Sequence, residues 1–236
     1  MIIATRIMKN LLIKKSNELV LSSYNLNLVE ARFLAVCLGK TYYKNLITEA
    51  EEFKVDVEEF GKIFELSNDT AYRQLKALAE SLTTRKVTFR SFYDEALTVV
   101  SGWLAYIKYN NESQTLVISF NKELLPHLSE LTEKFTIYKL EQIKKMASSY
   151  SVRVYELCKC HAHPAAGFKF ISTVEELKQF LGVEDKYNMY AHFKDKIIKP
   201  SIREINELTD LEVEFFEHKQ GKKIVKLSFI ISLKVK

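Results

Sequence analysis

Glycine and proline are scarce in this sequence, with 6 and 3 copies in 236 residues. So few backbone breakers argue against a loop-rich fold and leave no Gly-rich cradle for a phosphate. Long apolar runs are also missing, since no window approaches the roughly 18 consecutive apolar residues of a membrane span. The opening Met1-Ile2-Ile3-Ala4-Thr5-Arg6-Ile7 is apolar but too short for a secretory signal, and no small-residue cleavage site follows it. A cytoplasmic protein with no membrane partner is expected. Cysteines number three, an odd count that fits a reducing compartment better than a disulfide framework. Cys37, inside the apolar run 33–38, reads as a small core residue. No Ser-His-Asp arrangement, Walker-type loop or paired-carboxylate motif stands out, so neither a catalytic centre nor a cofactor is expected.

What is present is the composition of an ordinary folded protein, 47% apolar and 28% charged, which excludes a disordered or collagen-like chain. The length suffices for one large domain or two compact ones. Charge is unevenly spread. Residues 1–133 hold 16 Lys and Arg against 17 Asp and Glu, a net −1, whereas residues 134–236 hold 19 against 13, a net +6. A neutral first half and a basic second half point the second half toward a polyanion.

Hydrophobic periodicity shows one order of elements twice. In the first half, a helix from Leu28 to Val36 follows the capping residue Asn27. A short strand over 53–57 leads to a helix over 58–65. Ser67-Asn68-Asp69 then caps a helix from Thr70 to about Leu82. Strands over 86–92, 98–109 and 115–120 come next, the last two joined by the polar turn Asn110-Asn111-Glu112-Ser113. The second half gives a helix over 148–161, a strand over 168–171, and a short helix opened by Thr173-Val174-Glu175-Glu176-Leu177. A long helix over 188–208 and two strands, 212–217 and 224–233, close the chain. The run Val57-Glu58-Glu59-Phe60-Gly61-Lys62-Ile63-Phe64 resembles the run Val174 to Leu181, so the halves read as a duplication. Helix, strand, helix, helix, hairpin is the plan of a winged helix. The expected fold is therefore α+β, two tandem winged-helix domains over 1–133 and 134–236, with the boundary in the polar segment Ser129 to Lys134.

Several runs resemble plasmid replication initiators of the two-winged-helix Rep family. They are Asn17-Glu18-Leu19-Val20 with Tyr24-Asn25-Leu26, Leu28-Val29-Glu30 and Arg32; Phe135-Thr136-Ile137-Tyr138-Lys139-Leu140; and Ser149 to Leu157. Near the end follow Phe193-Lys194-Asp195-Lys196-Ile197-Ile198-Lys199-Pro200, Ile202, Glu204-Ile205-Asn206 and Thr209-Asp210-Leu211. The likeness spans residues 16–232. It implies binding to repeated origin sequences (iterons) in duplex DNA, melting of the adjacent duplex, and recruitment of the host replication initiator and replicative helicase. It further implies a homodimer, formed through the first domain, that represses the protein's own gene. The seven residues before Met8 lie outside the likeness, so Met8 is a candidate natural start.

The best functional signal lies in the segment 188–206. Taken at about 100° per residue, Asn188, His192, Lys196, Lys199 and Arg203 fall within about 80° of one another, facing phosphates and base edges. Lys194 falls on the apolar side and is expected to snorkel out of it, while Pro200 is expected to break or kink the helix. The hairpin tip Lys219-Gln220-Gly221-Lys222-Lys223 offers Lys219, Lys222 and Lys223 as a phosphate-gripping wing. In the first domain, Tyr72, Arg73 and Lys76 are expected on an exposed helix face, either touching backbone phosphates or merely solvated. The strand 102–107, with Trp103, Ala105 and Tyr106, is the candidate dimer contact.

Competing readings attach to the same residues. Cys158, Cys160, His161 and His163 lack the spacing of structural zinc sites, and on a helix the two cysteines diverge by about 200°. No metal is expected there, and the cluster reads as a fraying helix end. His161-Ala162-His163, with Tyr190 and Lys194, is the other reading, a metal-dependent DNA-nicking enzyme. That enzyme needs its histidines on a strand and a three-residue spacing where this chain has four. A plain winged-helix transcriptional repressor is the nearest rival to an initiator.

Overall fold

The computed structural model describes residues 11–234 except 43, 45, 95, 130, 165 and 166. The expectations for Met1 to Ile7 and for Met8 fall outside these residues. The chain opens with β1 (Leu12–Ser16), α1 (Asn17–Val20) and β2 (Ser23–Tyr24). The helix α2 (Leu28–Thr41) begins at a reciprocal cap. Asn27 accepts from the Glu30 amide, while the Glu30 carboxylate accepts from the Asn27 amide. Then come β3 (Phe53–Asp56), α3 (Val57–Phe64) and α4 (Asn68–Ser81), whose Ser67 cap accepts from Thr70. Strands β4 (Lys86–Arg90), β5 (Thr98–Gly102), β6 (Leu104–Asn110), β7 (Thr115–Phe120) and β8 (Phe135–Lys139) follow. The second set is α5 (Ser149–His161), β9 (Lys169–Thr173), α6 (Val174–Phe180), α7 (Tyr190–Phe193), a π turn (Lys194–Ile198) and α8 (Lys199–Leu208). It closes with β10 (Leu211–Gln220) and β11 (Lys223–Leu233).

The duplication is visible in the sheets. One is ordered β3-β7-β6 and the other β9-β11-β10, so in both the strand before the second helix pairs with the last strand of the hairpin. The matched sequence runs begin those second helices, α3 at Val57 and α6 at Val174. Two winged helices in tandem are the architecture, as the element order implies.

One strand departs from the periodicity reading. The stretch expected as a single strand over 98–109 is two strands in different sheets, since β5 pairs with β4 while β6 pairs with β7. Trp103 sits at the break, 1% exposed and edge-on to the Tyr24 ring at 4.9 Å. A large ring drawn into the core turns the chain from one sheet to the next. Trp103 is therefore a core residue and not part of a dimer surface.

The two halves interlock. Strand β1 pairs antiparallel with β8, from Leu12 opposite Lys139 to Ser16 opposite Phe135, across the polar segment 129–134. Helix α5 then packs on both halves, and Ser151 through Cys158 are all buried. Its polar residues close a buried cluster. Glu156 accepts from Lys15 at 2.6 Å, from Arg153 at 2.9 Å, from Tyr24 at 3.1 Å and from the Tyr138 hydroxyl. Arg153 also donates to the carbonyls of Val20, Ser22 and Phe180, each at 3.0 Å, tying both domains to one guanidinium. Burial alone would raise the Glu156 pKa, but Lys15 and Arg153 outweigh it and hold the carboxyl down at about 2. At the same seam Gly182 adopts φ +60, and a Cβ there would lie 2.9 Å from the Tyr24 backbone, so only glycine permits the approach.

Candidate nucleic-acid interface

In a winged helix the third helix and the hairpin form the docking face. In the second domain that helix is the segment Tyr190–Leu208. It packs through Phe193, Ile197, Ile198, Ser201, Ile202 and Ile205, all buried. Pro200 neither breaks it nor leaves a kink unrelieved. The proline falls in the first turn of α8, and the π turn just before it supplies the slack that its missing N–H and its ring demand.

That turn changes the face. In a regular helix, Phe193 and Ile197 and the later set Ile198, Ser201, Ile202 and Ile205 would point in directions about 100° apart. All six are nonetheless buried, which requires one residue to be taken out of register between them, as a π turn does. Lys199 and Arg203 are thereby rotated back relative to His192 and Lys196. The cations do not form the single narrow stripe expected from a uniform helix. They flank the outward line on both sides.

Asn188, His192, Lys196, Lys199 and Arg203 are all exposed. Lys196 and Arg203 have no hydrogen bond or ion pair among the described residues, whereas Lys199 is held by Asp195 at 2.8 Å. Lys194 does not reach out to the face. It is half-buried and turns to the hairpin, 3.0 Å from Glu217, with its ammonium 5.6 Å from the Tyr190 ring centre. Tyr190 donates to the same carboxylate at 2.7 Å, so Glu217 fastens helix to wing. The two hydrogen bonds outweigh the cost of partial burial, and the Glu217 pKa lies below the usual carboxylate value.

The wing turns at Gly221, where φ is +61, between Gln220 and its partner Lys223. Lys219, Lys222 and Lys223 are exposed around it, and Lys223 lies 3.3 Å from Glu175 of α6. The first domain's counterpart is different. Arg73 and Lys76 are exposed on α4, but Tyr72 is half-buried with its ring against Tyr109 at 6.1 Å, so it is not part of the free face. The tip of the β6–β7 wing carries no cation. Its Asn110 side chain accepts from the amides of Glu112 and Ser113, each at 2.9 Å.

The dimer candidates divide. Ala105 is exposed and Tyr106 half-buried on the sheet-edge strand β6, but the pairing register slips between Leu104 and Tyr106, which blunts that edge. The more exposed apolar surface of this domain lies on the β4–β5 hairpin: Phe92, Tyr93, Leu97 and Val100. The periodicity reading passed over it because its residues fall in a loop and on the outer side of a short strand.

Cys158 and Cys160 are both buried, while His163, just beyond the end of α5, is exposed. Burial pushes the Cys158 thiol up to about 12. His161 closes the helix, donates to the Leu157 carbonyl at 2.9 Å and stacks on Phe170 at 4.5 Å. Among the described residues no group of three or more His, Cys, Asp or Glu is placed to hold a metal ion. Among the same residues no helix is long and apolar enough to cross a membrane.

Two domains of one plan, the second with exposed cations along its third helix and around its wing, define a tandem winged-helix protein of the DNA-binding class. Residues 12–159 match the family described as initiator replication protein, WH1, and residues 173–231 the one described as initiator Rep protein, WH2. The chain belongs to this family of plasmid replication initiators. A replication initiation protein of Escherichia coli is 26% identical over 213 residues, covering 87% of this chain and 65% of the relative. The chain thus spans just under two thirds of that protein. A second Escherichia coli protein, described as an uncharacterized 27.6 kDa protein, is 28% identical over 91% of this chain and 92% of its own length. The crystal structure of the Pi initiator protein in complex with iteron DNA superposes with a TM-score of 0.80 at 25% identity, over 97% of this chain and 99% of that one.

Proposed function

We propose that this protein binds repeated sequences in duplex DNA at a plasmid origin, through its second winged helix, and starts replication there. The observation that carries the reading is the pair Lys196 and Arg203, exposed on the third helix and without a partner among the described residues, in a domain whose wing tip is rich in lysine. The likeness along the whole chain to an initiator solved on iteron DNA supports it. Bound to such repeats, the protein opens the adjacent duplex and recruits the host initiator and replicative helicase, working in the cytoplasm without a catalytic centre of its own. As a dimer it represses its own gene. Self-association is best assigned to the exposed hairpin residues Phe92, Tyr93, Leu97 and Val100 in preference to Ala105 and Tyr106, and Val100→Glu is expected to shift the sedimenting species to monomer.

Footprinting on the DNA flanking the gene tests the reading. Protected tandem direct repeats, together with replication of an initiator-less plasmid carrying that DNA when the protein is supplied, support it. A single protected inverted repeat without such replication would make the protein a repressor only. A covalent tyrosine–DNA adduct on supercoiled origin DNA with Mg²⁺ would make it a nicking enzyme.

A further inference from the structure

The exposed side of the third helix in the second domain has one acid at its centre. We propose that Asp195 is a specificity determinant, accepting a hydrogen bond from the exocyclic amino group of a cytosine or adenine in the major groove. The proposal rests on the duplex-binding reading above and deepens it.

Asp195 stands two residues from each of Phe193 and Ile197, hence about 160° away from both around the helix, and those two are buried to the last percent. No residue of this turn points more directly away from the core. His192 and Lys196 lie to one side of that line. The π turn brings Lys199 and Arg203 to the other side. A face pressed into the groove therefore spreads Lys196 to one side and Lys199 and Arg203 to the other, within reach of phosphates and flanking base edges, and sends Asp195 to the base edges between them. Ala191, exposed one turn earlier, is small enough to let the helix approach.

A carboxylate in that place is repelled by every phosphate. The groups in the major groove that reward it are amino donors, cytosine N4 above all and adenine N6, because guanine and thymine present only acceptors or a methyl there. In the free protein Lys199 screens the charge at 2.8 Å, with both side chains more than half exposed, so the pair opens at little cost when Lys199 turns to a phosphate.

The test is a duplex pool selected with the wild-type chain, followed by binding of every single-base variant of the selected site and of random DNA. The wild-type protein is compared with Asp195→Ala and Asp195→Asn. Removing the carboxylate is expected to tighten binding to random DNA. It is also expected to erase a roughly ten- to hundredfold preference at one base pair, leaving other positions unchanged. Asp195→Asn is expected to move that preference toward adenine, the base asparagine pairs with in two hydrogen bonds. Uniformly tighter binding with every base preference intact would overturn the proposal and leave Asp195 a surface ion pair. Absence of any selected sequence with the wild-type chain would overturn the duplex-reading function itself. Asp195 is exposed and so is its ion-pair partner Lys199, so both variants are expected to fold, which circular dichroism checks.

Discussion

The two winged helices share a sheet order and begin their second helices on matching residues, Val57 and Val174, yet present different faces to solvent. In the first domain the third helix is regular. Its outward Arg73 and Lys76 are balanced by Asp69 and Glu80, and its wing tip carries Glu112 and no lysine. In the second domain the third helix contains a π turn and a proline and leaves Lys196 and Arg203 unpaired among the described residues, and the wing tip carries three lysines. The buried apolar pattern is what the two have in common, so it specifies the fold. The outward residues are free to diverge, and they set the partner. Exposed aromatic and aliphatic side chains on the β4–β5 hairpin give the first domain a surface suited to protein, where the second has one suited to a polyanion.

The largest effect is expected where the two domains meet. Glu156→Gln leaves Lys15 and Arg153 buried without their counter-charge and should cost about 3–5 kcal/mol of stability, a large share of the roughly 5–15 kcal/mol typical of a folded protein. Urea unfolding measures it. The pH dependence has a definite sign. Because the folded pKa is about 2 and an unfolded glutamate titrates near ~4.3, its contribution is full above ~4.3 and is lost as pH falls through 2. The variant should therefore show a flatter acid limb in that window than the wild type. Equal limbs would mean that another carboxylate carries the acid sensitivity. Separate unfolding of the two domains in the variant would identify the cluster as what makes them one cooperative unit.

How much of this was legible in the sequence depends on the distance between the interacting residues. Caps such as Asn27 and Ser67, the wing hairpins, and the alternation of Val225, Leu227, Phe229 and Ile231 are local patterns, and they place the two winged helices correctly. The Glu156 cluster is not local. Its lysine lies 141 residues away, and charged residues in a sequence otherwise read as surface. The pairing of β1 with β8 escapes notice for the same reason. Trp103 misleads because alternation continues through it, while the strands on either side belong to different sheets. At the site, the identities of the exposed residues were readable but their mutual angles were not. A wheel drawn at about 100° per residue groups Lys196 with Lys199 and Arg203, and only the π turn separates them.

Substitutions on the third helices turn the comparison into affinities. Lys196→Ala and Arg203→Ala should each weaken specific duplex binding by ~1–3 kcal/mol if they reach base edges. Circular dichroism should be unchanged, since both are exposed. Arg73→Ala and Lys76→Ala, at the corresponding helix of the first domain, should lose less and lose it equally on cognate and random DNA. An equal loss of specificity from the two pairs would erase the distinction between the domains. On the wings the effect is electrostatic. Lys222→Ala should flatten the slope of log K against log salt by about 0.9. Lys223→Ala should do less, because Glu175 already shares that charge at 3.3 Å.

The smallest expected effect comes from giving the first domain what it lacks. Glu112 lies at the exposed tip of the β6–β7 wing, where its side chain has no partner among the described residues and only its amide is tied, to Asn110. Glu112→Lys therefore changes the charge at the tip by two without touching the core, and stability should stay within about 0.5 kcal/mol of the wild type. If the first wing lies along the DNA backbone in the complex, the new lysine should form one phosphate contact, steepening the salt slope by about 0.9 and tightening cognate and random DNA together. If the first domain is held off the duplex, because its surface serves the protein contact instead, slope and affinity should both stay at the wild-type values. The same substitution in a Val100→Glu background then decides whether self-association is what holds it off. A wing that gains the contact only in the double variant is one that the dimer keeps from DNA. A wing that gains it in neither is a structural hairpin, and the division of labour between the two domains is complete.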